Sequence, residues 1–272
     1  MGISRLAGTL GLLLCVGALQ AGTLTFAGYN FTTNGGNGSN PALDGSNLQI
    51  IADDLGAGTG AEGSAYISQP YTITQNTPFT ATFSFLMSNS DSAENGLGLA
   101  DGLTFVVQSQ GPNALGDAGG SLGYASYTPS LVVTPSVAVA LRTFAYNDVE
   151  IDQGGNLGGP SQSVSFPGAE YDVQTTGTIT VSYDGVNTLT VTGSDSEGDT
   201  ISLSSAVNFA ALGGYGYVGF AGASGSGSAN EEITGFTLSG LTPVPEPATF
   251  LPVVAGLLGI GGWRRYKTGK VW

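Results

Sequence analysis

The sequence predicts an all-β protein: a sandwich or barrel of antiparallel sheets. Three observations carry this. Apolar and polar residues alternate with a period of two, as in Phe79, Ala81, Phe83, Phe85 and Met87 against Thr80, Thr82 and Ser84, the pattern of a half-buried strand. Short apolar runs are separated by Gly, Asn and Ser clusters, the residues of turns. No stretch of the middle of the chain has a convincing 3.6-residue period. Gly is abundant, at 45 of 272 residues, but without the three-residue spacing of a collagen.

Taken in order, residues 1–21 read as a signal peptide. Arg5 precedes an apolar run from Leu6 to Leu19, and a small residue, Ala21, stands at the expected cut. The only cysteine, Cys15, lies in this run, so the mature chain has none. Residues 22–242 then form one domain. Its expected strands are Phe79 to Met87, Leu103 to Val107, Leu131 to Val133, Val137 to Leu141 and Tyr217 to Phe220. Ile179 to Tyr183 and Leu189 to Val191 flank Asp184-Gly185-Val186-Asn187 and read as a hairpin. The last segment, 243–272, contains Val244-Pro245-Glu246-Pro247, an apolar stretch from Ala248 to Trp263, then Arg264 and Arg265. At 16 residues that stretch is short for a membrane span of ~20. The segment resembles a PEP-CTERM sorting signal. The resemblance implies a transiently membrane-inserted helix, cleavage near Pro245, Glu246 and Pro247 by an exosortase, and delivery to the bacterial surface or extracellular matrix. Signal peptidase is the partner expected at the other end.

Composition excludes several functions. With no histidine, Ser-His-Asp and Cys-His catalysis and His-ligated zinc are removed. The net charge of −14 argues against nucleic acid, which needs a basic surface. Between residues 22 and 242 stand nineteen acidic residues and one cation, Arg142. Most of the acids read as solvated loop residues. With no lysine in this span, the sheet edges lack the usual guard against aggregation, so negative charge and loops are expected to supply it.

Seven segments in order resemble an L-type (legume-like) lectin domain across nearly all of 22–242. They are the Phe79–Phe85 strand, Ala100-Asp101-Gly102 with its following strand, and the Gly119-Gly120-Ser121-Leu122-Gly123 loop. The others are Ser136 to Ala140, the hairpin ending at Val191, and Tyr217 to Gly225, with Glu232 to Phe236 matching the family's final strand. The resemblance implies a concanavalin-like jelly-roll β-sandwich that binds glycans or exopolysaccharide without catalysis. It gives Asp101 the role of the sugar-binding carboxylate and Gly120 (or Gly119) that of the backbone donor. Phe144 matches the aromatic ring and Asn147 the amide, although in a gapless match Tyr146 falls on the Asn position.

The family's metal strand, Glu-Phe-Asp, is here Ala140-Leu141-Arg142. No cofactor is therefore expected, unless Asp148, Glu150 and Asp152, with Asn147 or Asn156, rebuild a calcium site. Otherwise these acids form a surface loop. Arg142, standing where the family has its metal-bridging aspartate, is expected to supply the missing positive charge by pairing with that segment. Glu150-Ile151-Asp152 also resembles the core of a retaining β-glucanase, but Gly154 stands where that enzyme needs a second glutamate. The remaining alternative is a structural matrix protein whose lectin-like sandwich has lost sugar binding.

Overall fold

The computed structural model describes residues 22–37, 39–52, 60–88, 98–126, 131–166 and 173–245. The signal segment 1–21 lies outside the described residues, as does the tail with Glu246, Pro247, Arg264 and Arg265. Among the described residues no helix is long and apolar enough to cross a membrane.

The strands, in chain order, begin with β1 (Gly22–Phe26), β2 (Tyr29–Gly36), β3 (Ala42–Asp44), β4 (Asn47–Ile51), β5 (Glu62–Ile67) and β6 (Tyr71–Ile73). Next come β7 (Phe79–Ser88), β8 (Gly102–Gln108), β9 (Ser136–Arg142), β10 (Asp148–Gln153) and β11 (Ser161–Ser163). Last are β12 (Gln174–Tyr183), β13 (Thr188–Asp195), β14 (Thr200–Ala206), β15 (Gly214–Ala223), β16 (Asn230–Ser239) and β17 (Thr242–Pro243). They form two antiparallel sheets. One runs β14-β13-β12-β7-β16-β4-β3; the other runs β1-β2-β5-β15-β8-β9-β10-β11, with β6 on β15 and β17 on β6.

The period-two pattern places the core. On β7, Phe79, Ala81, Phe83, Phe85 and Met87 are buried and the residues between them half-buried. Phe83 and Phe236 come from one sheet, Phe105 and Phe220 from the other. Their rings meet at 5.3–5.8 Å, Phe83 stacked on Phe105 and the rest edge-on. Each such contact adds about 0.5–1.5 kcal/mol beyond burial. The expected hairpin is β12–β13, and Asp184 Oδ1 closes its turn by accepting the N–H groups of Val186, Asn187 and Thr188.

Three expectations are corrected. Leu131 to Val133 is not a strand; Val133 N–H donates to Tyr124 O (3.0 Å), and Val133 packs with Tyr66, Val106 and Tyr124 in a second apolar cluster. Residues 148–152 are a strand, not a loop, because Val149 and Ile151 alternate into the core. Among the described residues six acids are not solvated: Asp101, Asp148, Glu150, Asp152, Glu231 and Glu232 are all buried.

The edge of β14 is closed by amide side chains rather than by charge. Gln162 donates to Thr200 O (2.8 Å) and accepts from Ser202 N–H (2.8 Å); Gln153 donates to Ala206 O (3.1 Å) and accepts from Asn208 N–H (2.9 Å). Each side-chain amide takes one donor and one acceptor, as a neighbouring strand would, and so protects the edge without lysine.

Candidate functional site

Asp101 sits at the entry to β8. Its N–H donates to Ala223 O (2.8 Å), and its carbonyl accepts Thr143 N–H (3.1 Å). The backbone is thereby fixed between the end of β15 and the turn after β9. The Ala100–Asp101 peptide is cis. Gly102 follows at φ +134°, where an added Cβ would overlap the Leu141 carbonyl, so only glycine fits. Gly119 and Gly225 pack against the Asp101 carboxylate. A Cβ on Gly225 would lie 2.8 Å from Oδ2, and one on Gly119 would lie 3.9 Å from it. Oδ2 is buried and has no donor among the described residues. Burial alone raises the Asp101 carboxyl to about 6.

Gly119 N–H is committed to Ser224 O (3.0 Å). Gly120 instead lines an open cavity of about 510 Å³ with Ser121, Ser126, Tyr146, Asn156 and Gly158. The contacts that converge on Asp101 come from Gly119, Thr143, Ala223 and Gly225, and none comes from Phe144 or Asn147. Phe144 is half-buried. Asn147 has φ +50°, accepts Val164 N–H at its carbonyl (2.9 Å) and keeps a buried Oδ1 without a donor.

The three metal candidates share one face of β10, opposite Arg142, Ala140 and Ala138 of β9. Arg142 Nε and Nη2 donate to the two oxygens of Asp148 at 2.8 and 2.7 Å, and Nη2 lies 3.1 Å from Glu150 Oε2. Gly158 N–H donates to that same Glu150 oxygen (3.1 Å), and Gly159 N–H to Asp152 Oδ1 (3.0 Å). Glu150 Oε1 and Asp152 Oδ2 are buried without a donor of their own, and the two carboxyls interact directly. Burial first, then the Glu150 charge, raises Asp152 to about 8.

In this donor set the carboxylates surround a cation of the chain itself. Its carboxylates are already arranged round a guanidinium, and among the described residues no group of three or more His, Cys, Asp or Glu is placed to hold a metal. This set does not fit the glucanase reading, since Glu150 and Asp152 are 0% and 2% exposed and cannot reach a substrate.

Sequence reasoning missed Glu231. It is fully buried, accepts Gly102 N–H at Oε1 (3.0 Å) and has no donor to Oε2. Burial, and then the Asp101 charge, hold its carboxyl well above the usual range. It therefore supports the backbone next to Asp101 from inside the core. The available signal was parity, because Glu231 shares strand period with Ile233 and must face inward with it.

The sequence matches the legume lectin domain over residues 30–248. The chain belongs to that family, whose fold binds carbohydrate. Among solved structures it is similar to the lectin of Bauhinia forficata in complex with N-acetylgalactosamine, at 22% identity and a TM-score of 0.62, covering 84% of this chain and 100% of that one. Peanut lectin gives 19% and 0.61 over 84% and 100%. Arcelin-5, a lectin-like defence protein of Phaseolus vulgaris, gives 19% and 0.61 over 79% and 93%. At these identities the structural likeness shows the fold: a two-sheet, all-β sandwich of the legume-lectin kind.

Proposed function

We propose that this is an exported bacterial surface or extracellular-matrix protein that binds glycans non-catalytically, at Asp101 and Gly120, without a metal. The observation that carries the reading is Asp101 itself: a buried carboxylate with an unpartnered oxygen, packed against two glycines, Gly119 and Gly225. A carboxylate so placed accepts from two sugar hydroxyls, and charge-assisted bonds are the strong ones. Arg142 supplies the positive charge that supports the adjacent turn in place of the family's ions.

The test is a glycan array with the full chain. Asp101→Asn preserves shape and removes the charge, and is expected to weaken the strongest signal by about 100-fold or more. Binding unchanged in Asp101→Asn would overturn the site. Binding to no glycan at all would favour the second reading, a structural matrix protein, for which the altered metal strand at Arg142 is the supporting observation.

Export rests on residues 1–21 and on Pro245, Glu246 and Pro247 followed by the short apolar stretch and Arg264-Arg265. Exosortase and signal peptidase are the processing partners, after transient insertion in the inner membrane. Surface-extracted protein is expected to lack Trp263 and Trp272 by intact mass. A mass that includes the basic tail would contradict exosortase processing.

A further inference from the structure

We propose that the end of the sandwich that carries β6 and β17 is a docking surface for a phospholipid bilayer, and that it holds the Asp101 site facing away from the membrane. This rests on the export reading and deepens it. Three features of that end support it.

The first is how the tail leaves the fold. β17 pairs with β6 through Thr242 and Pro243. Val244 N–H donates to Pro70 O (2.8 Å), and Val244 O accepts Gln69 Nε2 (3.1 Å). The backbone is thus held up to Val244, and the apolar stretch begins at Ala248. Four residue steps reach at most about 14 Å, of which lipid headgroups fill about 5–8 Å. A chain inserted through that stretch therefore brings this end of the sandwich onto the headgroups.

The second is charge. The strand register gathers acids at the opposite end. Ala223, at the end of β15, pairs with Glu62 and Gly102, and Gly102 pairs with Arg142, the partner of Asp148. Glu231 joins them through Gly102 N–H. The other end of β15, Gly214 to Gly216, pairs with β6. There Gln75 ties two turns together, donating to Val186 O (2.6 Å) and accepting Ala210 N–H (3.1 Å). Among the described residues the turns at this end, 27–28, 68–70, 74–78, 184–187 and 207–213, hold one acid, Asp184. Its Oδ1 is occupied by three N–H groups of its own turn. A bilayer with anionic lipid repels carboxylates, so this end approaches it and the acidic end does not.

The third is exposed apolar surface. Val186 and Tyr215 are 65% and 45% exposed. Both lie at this end, Val186 beside Gln75 and Tyr215 opposite Thr72 of β6. The cavity beside β17, about 480 Å³, is lined by Tyr29, Asn30, Gln69, Pro70 and Tyr71 and by no charged side chain. Tyrosine, with an apolar ring and a polar tip, suits the headgroup level. Ala223, whose carbonyl accepts Asp101 N–H, is seven residues beyond Gly216, about 23 Å along β15. A sandwich standing on its β6–β17 end thus presents Asp101 outward.

The experiment uses the chain recovered with its tail from the inner membrane of exporting cells that lack exosortase. It carries Cys15→Ser and is reconstituted in phosphatidylethanolamine–phosphatidylglycerol vesicles with a nitroxide-labelled headgroup lipid. A fluorophore is attached at Val186→Cys, at Tyr215→Cys or, at the acidic end, at Glu197→Cys. Emission is expected to be lost to the nitroxide at the first two positions and retained at Glu197→Cys. A fluorophore at Thr72→Cys should also be quenched, and should recover its emission when Val186→Asp and Tyr215→Asp are added, with the melting temperature unchanged. Chains that float with the vesicles yet are quenched equally at Val186→Cys and Glu197→Cys, or at neither, overturn the docking surface and leave export standing. A chain that does not float with the vesicles overturns both.

Discussion

Arg142→Ala is expected to lower the melting temperature of the full chain by about 6–12 °C, and EDTA to leave it unchanged. The guanidinium and the Asp148 side chain are 11% and 10% exposed, and Glu150 is fully buried. Removing only the cation leaves two carboxylates facing each other with little water, beside Asp152. An uncompensated buried charge of this kind costs about 3 kcal/mol or more, unlike a surface pair at under ~1 kcal/mol. Arg142→Lys keeps the charge but not the planar fork across Asp148, and should fall between the two. Thermal melts of the three chains with and without EDTA decide it. A silent Arg142→Ala together with a large EDTA effect would mean that a metal organises this face.

Acidification from pH 8 to pH 5 is expected to raise the melting temperature, by on the order of 10 °C. Asp101 and Asp152 lie above their ordinary values, at about 6 and about 8, and Glu150 and Glu231 are also raised, in each case chiefly by burial. A carboxyl raised in the folded state holds a proton that the unfolded chain has released. Its contribution is complete below the unfolded value near 4, and is lost as pH rises through the folded value. For Asp152 that window runs from about pH 4 to pH 8. The four groups act in the same direction, and lower net negative charge adds to them. Glycan affinity should move the other way, falling below about pH 6 as Asp101 takes up a proton. Melts across this pH range check the first statement; a melting temperature that drops steadily from pH 8 to pH 5 would contradict it.

The parts of the molecule legible in sequence are those that depend on local pattern. Phe79 to Met87 alternates, and the strand buries those five residues. Asp184-Gly185 marks a turn, and Asp184 closes it. Arg142 was legible as the lone cation in a metal strand, and its bidentate pair with Asp148 follows from charge. What was not legible depends on segments distant in sequence. Glu150 and Asp152 look solvated until the chain at Gly158 and Gly159 is seen folding back over them with its N–H groups. Tyr146 and Phe144 are two aromatics in one turn, and only the positive φ values of Ala145 and Asn147 separate the exposed ring from the half-buried one. Gln153 and Gln162 gave no sign of closing an edge, because β14 begins about forty residues beyond them.

Glycan binding at Asp101 and Gly120, with Arg142 in place of metal, is the activity proposed for this lectin-family sandwich. Its most direct test is calorimetric titration of the full chain with N-acetylgalactosamine, mannose and glucose, before and after exhaustive EDTA treatment. Affinity for the bound sugar that is unchanged by EDTA, and lost in Asp101→Asn, is the predicted result. Affinity that disappears with EDTA and returns on adding calcium would contradict it.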